Sequence, residues 1–150
     1  MRKPVSVLVY PVRRNAAGHW EYLLLRRIPV RGGFWQGVSG GVEGEEDTME
    51  TAKREMAEET GLVPLAIEKV DYTYSLPVEA KWRHAYPAGT QEVREYVFVS
   101  RVSDKQAVSM SPEHDSCRWC MYEEALAMLK WPENIEALRR SHELVLQSWR

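Results

Sequence analysis

One stretch of the chain, from Gly40 to Leu62, constrains the possible fold more than any other. It reads GGVEGEEDTMETAKREMAEETGL, and its middle repeats apolar residues every three or four positions, which predicts an amphipathic helix capped by Thr48. The predicted apolar stripe consists of Met49, Ala52 and Met56. Gly61 follows the last periodic position and is typical of a helix end.

Three glutamates share one face of this predicted helix. Glu55, Glu58 and Glu59 stand at positions i, i+3 and i+4, which places their carboxylates about 5–6 Å apart. Because like charges at that spacing repel, the cluster favours a cation between them. Carboxylate oxygens are the ligands that Mg²⁺ and Mn²⁺ prefer. The alternative is a solvent-exposed charged face, which is the usual reason for such clusters.

The spacing of the whole segment is more specific than the glutamates alone. Gly40 is followed by five residues, then Glu46, seven residues and the run REMAEETGL, which begins at Arg54. This pattern resembles the Nudix box, the signature of hydrolases that act on a diphosphate linked to another moiety. The resemblance implies an α/β fold, specifically an α/β/α sandwich with a mixed sheet, for a single domain over residues 1–150.

The resemblance also implies roles for residues of the box. The helical glutamates would bind Mg²⁺ or Mn²⁺ and act in catalysis together with Arg54, which we expect to orient carboxylates by hydrogen bonding. Glu46 would anchor the loop or reach the metal through water. Gly40 would lie against the substrate, because glycine lets the backbone approach a ligand. Glu45 departs from the pattern, since relatives usually place a glycine there.

Two apolar stretches before the box predict strands, one from Val5 to Val12 and one from Trp20 to Arg27. Arg26 and Arg27 end the second stretch, where charged side chains are ordinarily solvated. In Nudix enzymes an arginine at the second of these positions commonly meets the substrate phosphates, so the resemblance points to Arg27.

Two further segments resemble the corresponding segments of bacterial dihydroneopterin triphosphate pyrophosphatases, a more specific group within the Nudix hydrolases. The run FWQGVSGGVE contains Trp35, which we expect either to stack on a planar base or to pack in the core. The run HAYPAG contains His84 and Tyr86, which are expected to recognise the substrate or to anchor a surface flap.

The last predicted strand runs from Ser116 to Met121. Around its start, Glu113, His114, Arg118 and Trp119 match a third pattern of these enzymes, E-H-x-x-x-[KR]-W. The resemblance implies that Glu113 is a further metal ligand or catalytic carboxylate, and that His114 is structural or lies beside the substrate. Either Glu55 or Glu113 is the expected general base, and the sequence leaves both open.

Cys117 and Cys120 form a CxxC without a second pair to complete a zinc site. On a strand their Cα atoms would be about 10 Å apart on opposite faces, too far for a disulfide. We therefore expect two inert thiols, although a thiol-redox protein is the alternative that a CxxC raises.

The rest of the chain predicts strands at Val63 to Tyr74 and Glu92 to Val102, a loop from Ser75 to Gln91, a short helix from Tyr122 to Trp131 and a second helix that begins at Pro132. The strand at Val63 to Tyr74 has five candidates for packing: Leu65, Ile67, Val70, Tyr72 and Tyr74.

Composition bounds the function. The 150 residues are 44% hydrophobic and 28% charged, with a net charge of −2. Residues 43–59 hold eight acidic and two basic side chains, so this segment carries −6 and the remainder about +4. An acidic site in a mildly basic shell suits a phosphate substrate that arrives with its metal, and argues against binding of a nucleic acid polymer. The absence of a long apolar run or a signal-peptide pattern predicts a cytoplasmic protein that does not bind membranes. The resemblance leaves a homodimer open, since many relatives form pairs.

These observations predict a metal-dependent pyrophosphohydrolase. On resemblance, the expected substrate is dihydroneopterin triphosphate or a deoxynucleoside triphosphate such as dATP, cleaved to the monophosphate and pyrophosphate. The alternatives are a diadenosine polyphosphate or oxidised-nucleotide hydrolase, and a non-catalytic domain that senses nucleotides.

Overall fold

The computed structural model of this chain describes residues 2–149. Its strands are β1 (Val5–Arg14), β2 (Trp20–Arg27), β3 (Trp35–Gln36), β4 (Val38–Gly41), β5 (Ala66–Pro77), β6 (Glu92–Arg101) and β7 (His114–Met121). Its α-helices are α1 (Thr48–Thr60), α2 (Tyr122–Met128) and α3 (Pro132–Ser148), and short 3-10 helices lie at Pro29–Arg31 and Ala80–Ala85.

The strands form a mixed sheet built around β1. The order β3-β2-β1-β6-β5 runs across the sheet, while β4 pairs with β1 and β7 pairs with β2. The β1–β6 pair is parallel and the other pairs are antiparallel. Because β1 lies between β4 and β6 at its start, residues of three strands meet there, with Gly41 opposite Ser6 and Ser6 opposite Glu95.

Alternation along β1 sends side chains into two separate cores. Val7 and Val9 pack against Ala52 and Met56 of α1 on one face of the sheet. On the other face β1 contributes Leu8 and Tyr10 to a core completed by α2 and α3. The sheet therefore lies between helices on both sides, which confirms the predicted α/β/α sandwich with a mixed sheet.

Most predicted elements are present, with shifted ends. The strand predicted from Val63 begins at Ala66, and Val63 and Leu65 are each 67% exposed. Val63 lies outside the sheet, and its backbone exchanges hydrogen bonds with the side chain of Gln106. The packing candidates Val70 and Tyr74 are buried, as expected, whereas the prediction for Leu65 is wrong. The predicted loop from Ser75 to Gln91 includes the end of β5 and one 3-10 helix, and α2 ends at Met128 rather than Trp131.

The N-terminus of α1 is capped by Asp47, and the prediction of Thr48 as the cap is wrong by one residue. The Asp47 carboxylate accepts a hydrogen bond from the Glu50 N–H (2.8 Å), and the Glu50 carboxylate accepts one from the Asp47 N–H (3.2 Å). This reciprocal pair is a capping box. Both Asp and Thr favour this position, so the sequence alone did not distinguish them.

Replacing Asp47 with alanine is expected to lower the free energy of unfolding by about 1 kcal/mol, because the Glu50 N–H loses its acceptor. Thr48→Ala is the matched control and should change the free energy of unfolding much less. Urea denaturation of both variants measures the difference. A larger loss for Thr48→Ala than for Asp47→Ala would contradict the observed cap.

Among residues 2–149, no helix has the length and apolar character needed to cross a membrane.

Candidate active site

A cavity of about 630 Å³ opens where β4, α1 and the start of β7 meet. Its walls include the three glutamates of α1, the two glycines of β4 and the arginine that ends β2. Of the predicted site residues, the lining includes Arg27, Gly40, Glu55, Glu58, Glu59, Tyr86 and Glu113.

Gly40 admits the Glu55 carboxylate to the cavity wall. A Cβ atom built on Gly40 would overlap the carboxylate group of Glu55, so no other residue fits here while Glu55 keeps its position. Gly40 lies in β4 opposite Val7 of β1 and is held in the sheet by that pairing. The glycine is thus required by the close approach of the helix side chain.

Glu59 is the most buried carboxylate of the cluster, with only 5% of the residue exposed. Its Oε2 accepts a hydrogen bond from the Ser39 N–H (3.1 Å). Burial, followed by the nearby charge of Glu55, raises the Glu59 pKa to about 8, and burial also raises the Glu55 pKa. Burial therefore disfavours ionisation of both groups, although Arg54 partly offsets this effect at Glu55.

Arg54 joins the carboxylates of the box to one another. Its guanidinium donates to both carboxylate oxygens of Glu46 (2.7 and 3.0 Å), to Glu55 (2.8 Å) and to Glu58 (3.2 Å). It also donates to the Gly41 carbonyl (2.9 Å), which ties β4 to α1. Hydrogen bonding to Arg54 is the main reason that the Glu46 pKa falls to about 2. Arg54 thus orients carboxylates, as the sequence predicted, and Glu46 anchors this arginine.

The pairing of β7 with β2 carries Glu113 to the opposite side of the cavity. The Glu113 carbonyl accepts a hydrogen bond from the Ile28 N–H (3.0 Å), and its carboxylate lies 3.6 Å from an Arg31 nitrogen. His114 is buried beside it, with Nε2 3.6 Å from Glu59 Oε1. Burial lowers the His114 pKa below its usual value, so this contact is not an ion pair at neutral pH.

The carboxylates do not form a closed ligand set. Within the described part of the chain, no group of three or more His, Cys, Asp or Glu residues has an arrangement that could hold a metal ion. Glu58 contacts Arg54 and Glu113 contacts Arg31 instead. Their chemistry nevertheless suits a hard divalent cation, since all the donors are oxygens and Glu59 and Glu55 carry raised pKa values that a cation would lower.

Arg27 and Arg26 lie on opposite faces of β2. Arg26 donates to Asp115 (2.7 Å) and lies over the Trp35 ring, away from the cavity lining. Arg27 lines the cavity and packs on Phe34, and its Nε is buried without a hydrogen-bond partner among the described residues. An unpaired guanidinium N–H in a cavity suits an anionic oxygen.

The structure does not bring two of the predicted substrate residues to this cavity. Trp35 is half-buried and packs against the core beneath α2 and α3, so the core interpretation of this residue fits and the stacking one does not. His84 is exposed in the 3-10 helix Ala80–Ala85 and is absent from the cavity lining. Tyr86, two residues later, does line it, as does Trp82.

Cys117 is exposed and Cys120 is buried, both as free thiols. Burial raises the Cys120 pKa to about 11. These observations agree with the expectation of inert thiols and give no support to a redox pair.

Sequence reasoning missed the buried carboxylate of Glu95 in the cavity. Glu95 of β6 is only 7% exposed and lines the cavity together with Ser6 of β1. A signal was present, because Glu95 shares a face of β6 with Val97 and Val99, which pack in the core. The side chain of Ser6 likewise shares a face with Leu8.

The site combines three features: acidic side chains on α1, two glycines of β4 that leave room for them, and an arginine with an unpaired N–H. This combination suits a phosphate substrate with a divalent cation. The NUDIX domain family matches residues 2–141 of the chain. The chain therefore belongs to the Nudix family.

Solved structures of similar proteins support the same assignment. A protein from Listeria monocytogenes described as a Nudix hydrolase is 34% identical, with a TM-score of 0.79 over 97% of this chain and 96% of its own. The Escherichia coli dihydroneopterin triphosphate pyrophosphohydrolase is 25% identical, with a TM-score of 0.73 over 98% of each chain.

Curated relatives carry more varied names. An octanoyltransferase of Myxococcus xanthus is 36% identical over 143 residues, and an RNA pyrophosphohydrolase of Thioalkalivibrio sulfidiphilus is 34% identical over 97. These matches cover 92% and 59% of this chain but only 37% and 56% of the two relatives. The dihydroneopterin triphosphate diphosphatase of Haemophilus influenzae is 27% identical, over 71% of this chain and 70% of its own.

Proposed function

We propose that this protein is a metal-dependent pyrophosphohydrolase that cleaves a phosphoanhydride of a nucleoside triphosphate-like substrate. The favoured substrates are dihydroneopterin triphosphate and deoxynucleoside triphosphates, and the products are the monophosphate and pyrophosphate. Membership of the Nudix family and the similarity to enzymes named for pyrophosphate release support this class of reaction.

The observation that carries the proposal is the proximity of an acidic cluster and an unpaired arginine in one cavity. Glu55 and Glu59 lie on its α1 side, and the Arg27 Nε on the β2 side is buried without a partner among the described residues. An acidic cluster alone would repel a polyphosphate. A divalent cation held by Glu55, Glu58, Glu59 and Glu113 would remove that repulsion.

When bound, such a cation polarises phosphoryl oxygens and lowers the pKa of a bound water. The residues of the chain then have separate tasks in an in-line attack of water on phosphorus. Arg27 binds phosphate oxygens, and Arg54 orients Glu55 and Glu58. Either Glu55 or Glu113 accepts the proton of the attacking water.

A substrate screen tests the proposal directly. The protein is incubated with Mg²⁺ and, separately, with the common nucleoside triphosphates, dihydroneopterin triphosphate, a diadenosine polyphosphate and a short RNA with a 5′-triphosphate, and released pyrophosphate and phosphate are measured. Pyrophosphate released from a small triphosphate in the presence of Mg²⁺, and not of a chelator, is the expected result. Release from the RNA alone would contradict the proposed substrate class, and binding without release would favour a sensing domain.

Arg27→Ala is expected to raise the Michaelis constant of a triphosphate substrate by about 10-fold or more, because a charge-assisted hydrogen bond to phosphate is lost. Arg26→Ala is the matched control, since it removes the same charge from the adjacent residue on the other face of β2. Steady-state kinetics of both variants measures the difference. Equal Michaelis constants in the two variants would remove Arg27 from the substrate site.

A further inference from the structure

Glu95 is a buried acid at the far end of the active-site cavity. The residue is 7% exposed, lines the same cavity as Glu55 and Arg27, and forms no salt bridge within residues 2–149. Burying a carboxylate without a cation is costly, and such groups cluster at functional sites. The roles proposed above for the acidic cluster and Arg27 do not use it.

Two hydrogen bonds hold the Glu95 carboxylate in place, and both of its oxygens can still accept another. The Tyr74 hydroxyl donates to Oε1 (2.7 Å) and the Ser6 hydroxyl donates to Oε2 (2.8 Å). The Asn134 amide donates to the Tyr74 oxygen (3.2 Å), so a residue of α3 holds the tyrosine in place. Burial raises the pKa of Glu95, and N–H donors of a bound ring would favour its ionised form. The ionised carboxylate has about four acceptor sites, and only two are used here. Each oxygen therefore retains one site for a ligand N–H.

The position of Glu95 relative to the phosphate end suits a nucleotide. Glu95 lies opposite Ser6, Ser6 lies opposite Gly41, and Gly40 borders Glu55. Because two strand spacings separate Gly41 from Glu95, their Cα atoms lie about 10 Å apart. This span is comparable to the distance from a phosphate to the far edge of the base in an extended nucleotide. The two glycines contribute no side chain of their own between the two ends, and the Arg2 guanidinium lies over Gly41 there.

Charge also determines which part of a substrate fits at Glu95. A carboxylate repels phosphate and attracts N–H donors, so the polyphosphate is favoured at the Arg27 end and the ring at this end. Leu76, Val78 and Trp82 supply apolar surface to the cavity lining near β5, which suits a planar ring.

The ring edge that fits two acceptor oxygens has two adjacent donors. A 2-amino-4-oxopyrimidine edge, present in guanine and in pterins, offers a ring N–H next to an exocyclic NH₂. Adenine instead places a ring-nitrogen lone pair beside its amino group, and hypoxanthine lacks the second donor. We infer that Glu95, positioned by Ser6 and Tyr74, is a specificity-determining residue that accepts hydrogen bonds from the 2-amino-4-oxopyrimidine edge of the substrate. This inference rests on the proposed function and names the substrate class within it.

The test compares dGTP with dITP, two substrates that differ only in the 2-amino group. With Mg²⁺, the wild-type protein should favour dGTP over dITP in kcat/KM by about 10- to 100-fold, since a hydrogen bond to a charged group is lost with dITP. Glu95→Gln should reduce this preference to about 3-fold or less, because the glutamine amide presents N–H groups of its own to the substrate. The change should lie mainly in KM.

Glu92→Gln is the matched control, because it removes a carboxylate from an exposed position of the same strand outside the cavity lining. It should leave the dGTP preference unchanged. A purely structural role for Glu95 would lower the melting temperature of Glu95→Gln and reduce activity on both substrates equally, which would overturn the inference.

The possible failures are distinguishable. A wild-type protein that cleaves no triphosphate with Mg²⁺ contradicts the proposed function itself. Cleavage with equal kcat/KM for dGTP and dITP, or a preference for dATP, overturns the role of Glu95 and leaves the hydrolase proposal intact. A Glu95→Gln variant that alters the choice between GTP and dGTP, but not between dGTP and dITP, would place Glu95 at the sugar and overturn the ring assignment.

Discussion

Glu55→Gln and Glu59→Gln should each reduce the turnover of a triphosphate substrate by at least about 100-fold, the scale of a lost electrostatic contact to the transition state. Glutamine keeps the shape of each side chain but removes the charge that would hold a cation. The measurement is the rate of pyrophosphate release at saturating substrate and Mg²⁺. Glu50→Gln is the matched control, because Glu50 lies on the same helix, is exposed and is absent from the cavity lining.

Stability measurements on Glu59→Gln distinguish lost chemistry from lost folding. The folded-state pKa of Glu59 is about 8, above its usual value of 4.5, so ionising this group disfavours the folded state. The stability of the wild-type protein should therefore fall as pH rises from about 4.5 to 8 without divalent cations, by an amount on the order of a few kcal/mol. Glu59→Gln has no group to ionise at this position, so its stability should fall less over the same pH range. At pH 8 the variant should be at least as stable as wild type. A large loss of stability in Glu59→Gln at pH 8 would contradict the assigned pKa.

Gly40→Ala should reduce turnover by about 100-fold although the substitution adds a single methyl group. The new Cβ would occupy the space of the Glu55 carboxylate, so either the carboxylate leaves the cavity wall or β4 shifts from α1. Both outcomes misplace the carboxylate that we propose to be catalytic, and misplacement by about 1 Å is enough for a loss of this size. Steady-state kinetics measures the loss, and thermal denaturation reports any change in folding.

A double variant tests whether the glycine acts through Glu55. If Gly40→Ala harms activity only by displacing that carboxylate, then adding it to Glu55→Gln should cause little further loss of kcat. Full additivity of the two effects would show that Gly40 contributes separately from Glu55, for example by direct contact between its backbone and the substrate.

The sequence predicted the box helix and its surroundings well because several local signals agreed. The apolar period, the terminal Gly61 and the glutamate spacing all indicated the same helix, and the alternation of β6 indicated a strand. Arg27 could be chosen over Arg26 only through the family resemblance. The structure supplies the physical distinction, since alternation along β2 sends Arg27 into the cavity and Arg26 towards Asp115.

Other features depend on contacts between distant parts of the chain. The Val63 backbone exchanges hydrogen bonds with the side chain of Gln106, a pair 43 residues apart, and the nearby Leu65 side chain is exposed. The position of Trp35 in the core depends on which face of β3 meets α2 and α3. The proximity of Ser6 to Glu95 requires the parallel pairing of β1 with β6, which no local pattern indicates.

The central proposal is that the carboxylates of α1 hold a divalent cation that is required for cleavage of a phosphoanhydride. Its most direct test is a Mn²⁺ titration followed by electron paramagnetic resonance, with pyrophosphate release measured in the same samples. Wild-type protein should bind Mn²⁺ and release pyrophosphate in proportion to the bound ion, whereas the Glu55→Gln, Glu59→Gln double variant should do neither. Pyrophosphate release at an undiminished rate in the presence of a chelator, or wild-type Mn²⁺ affinity in the double variant, would contradict the proposal.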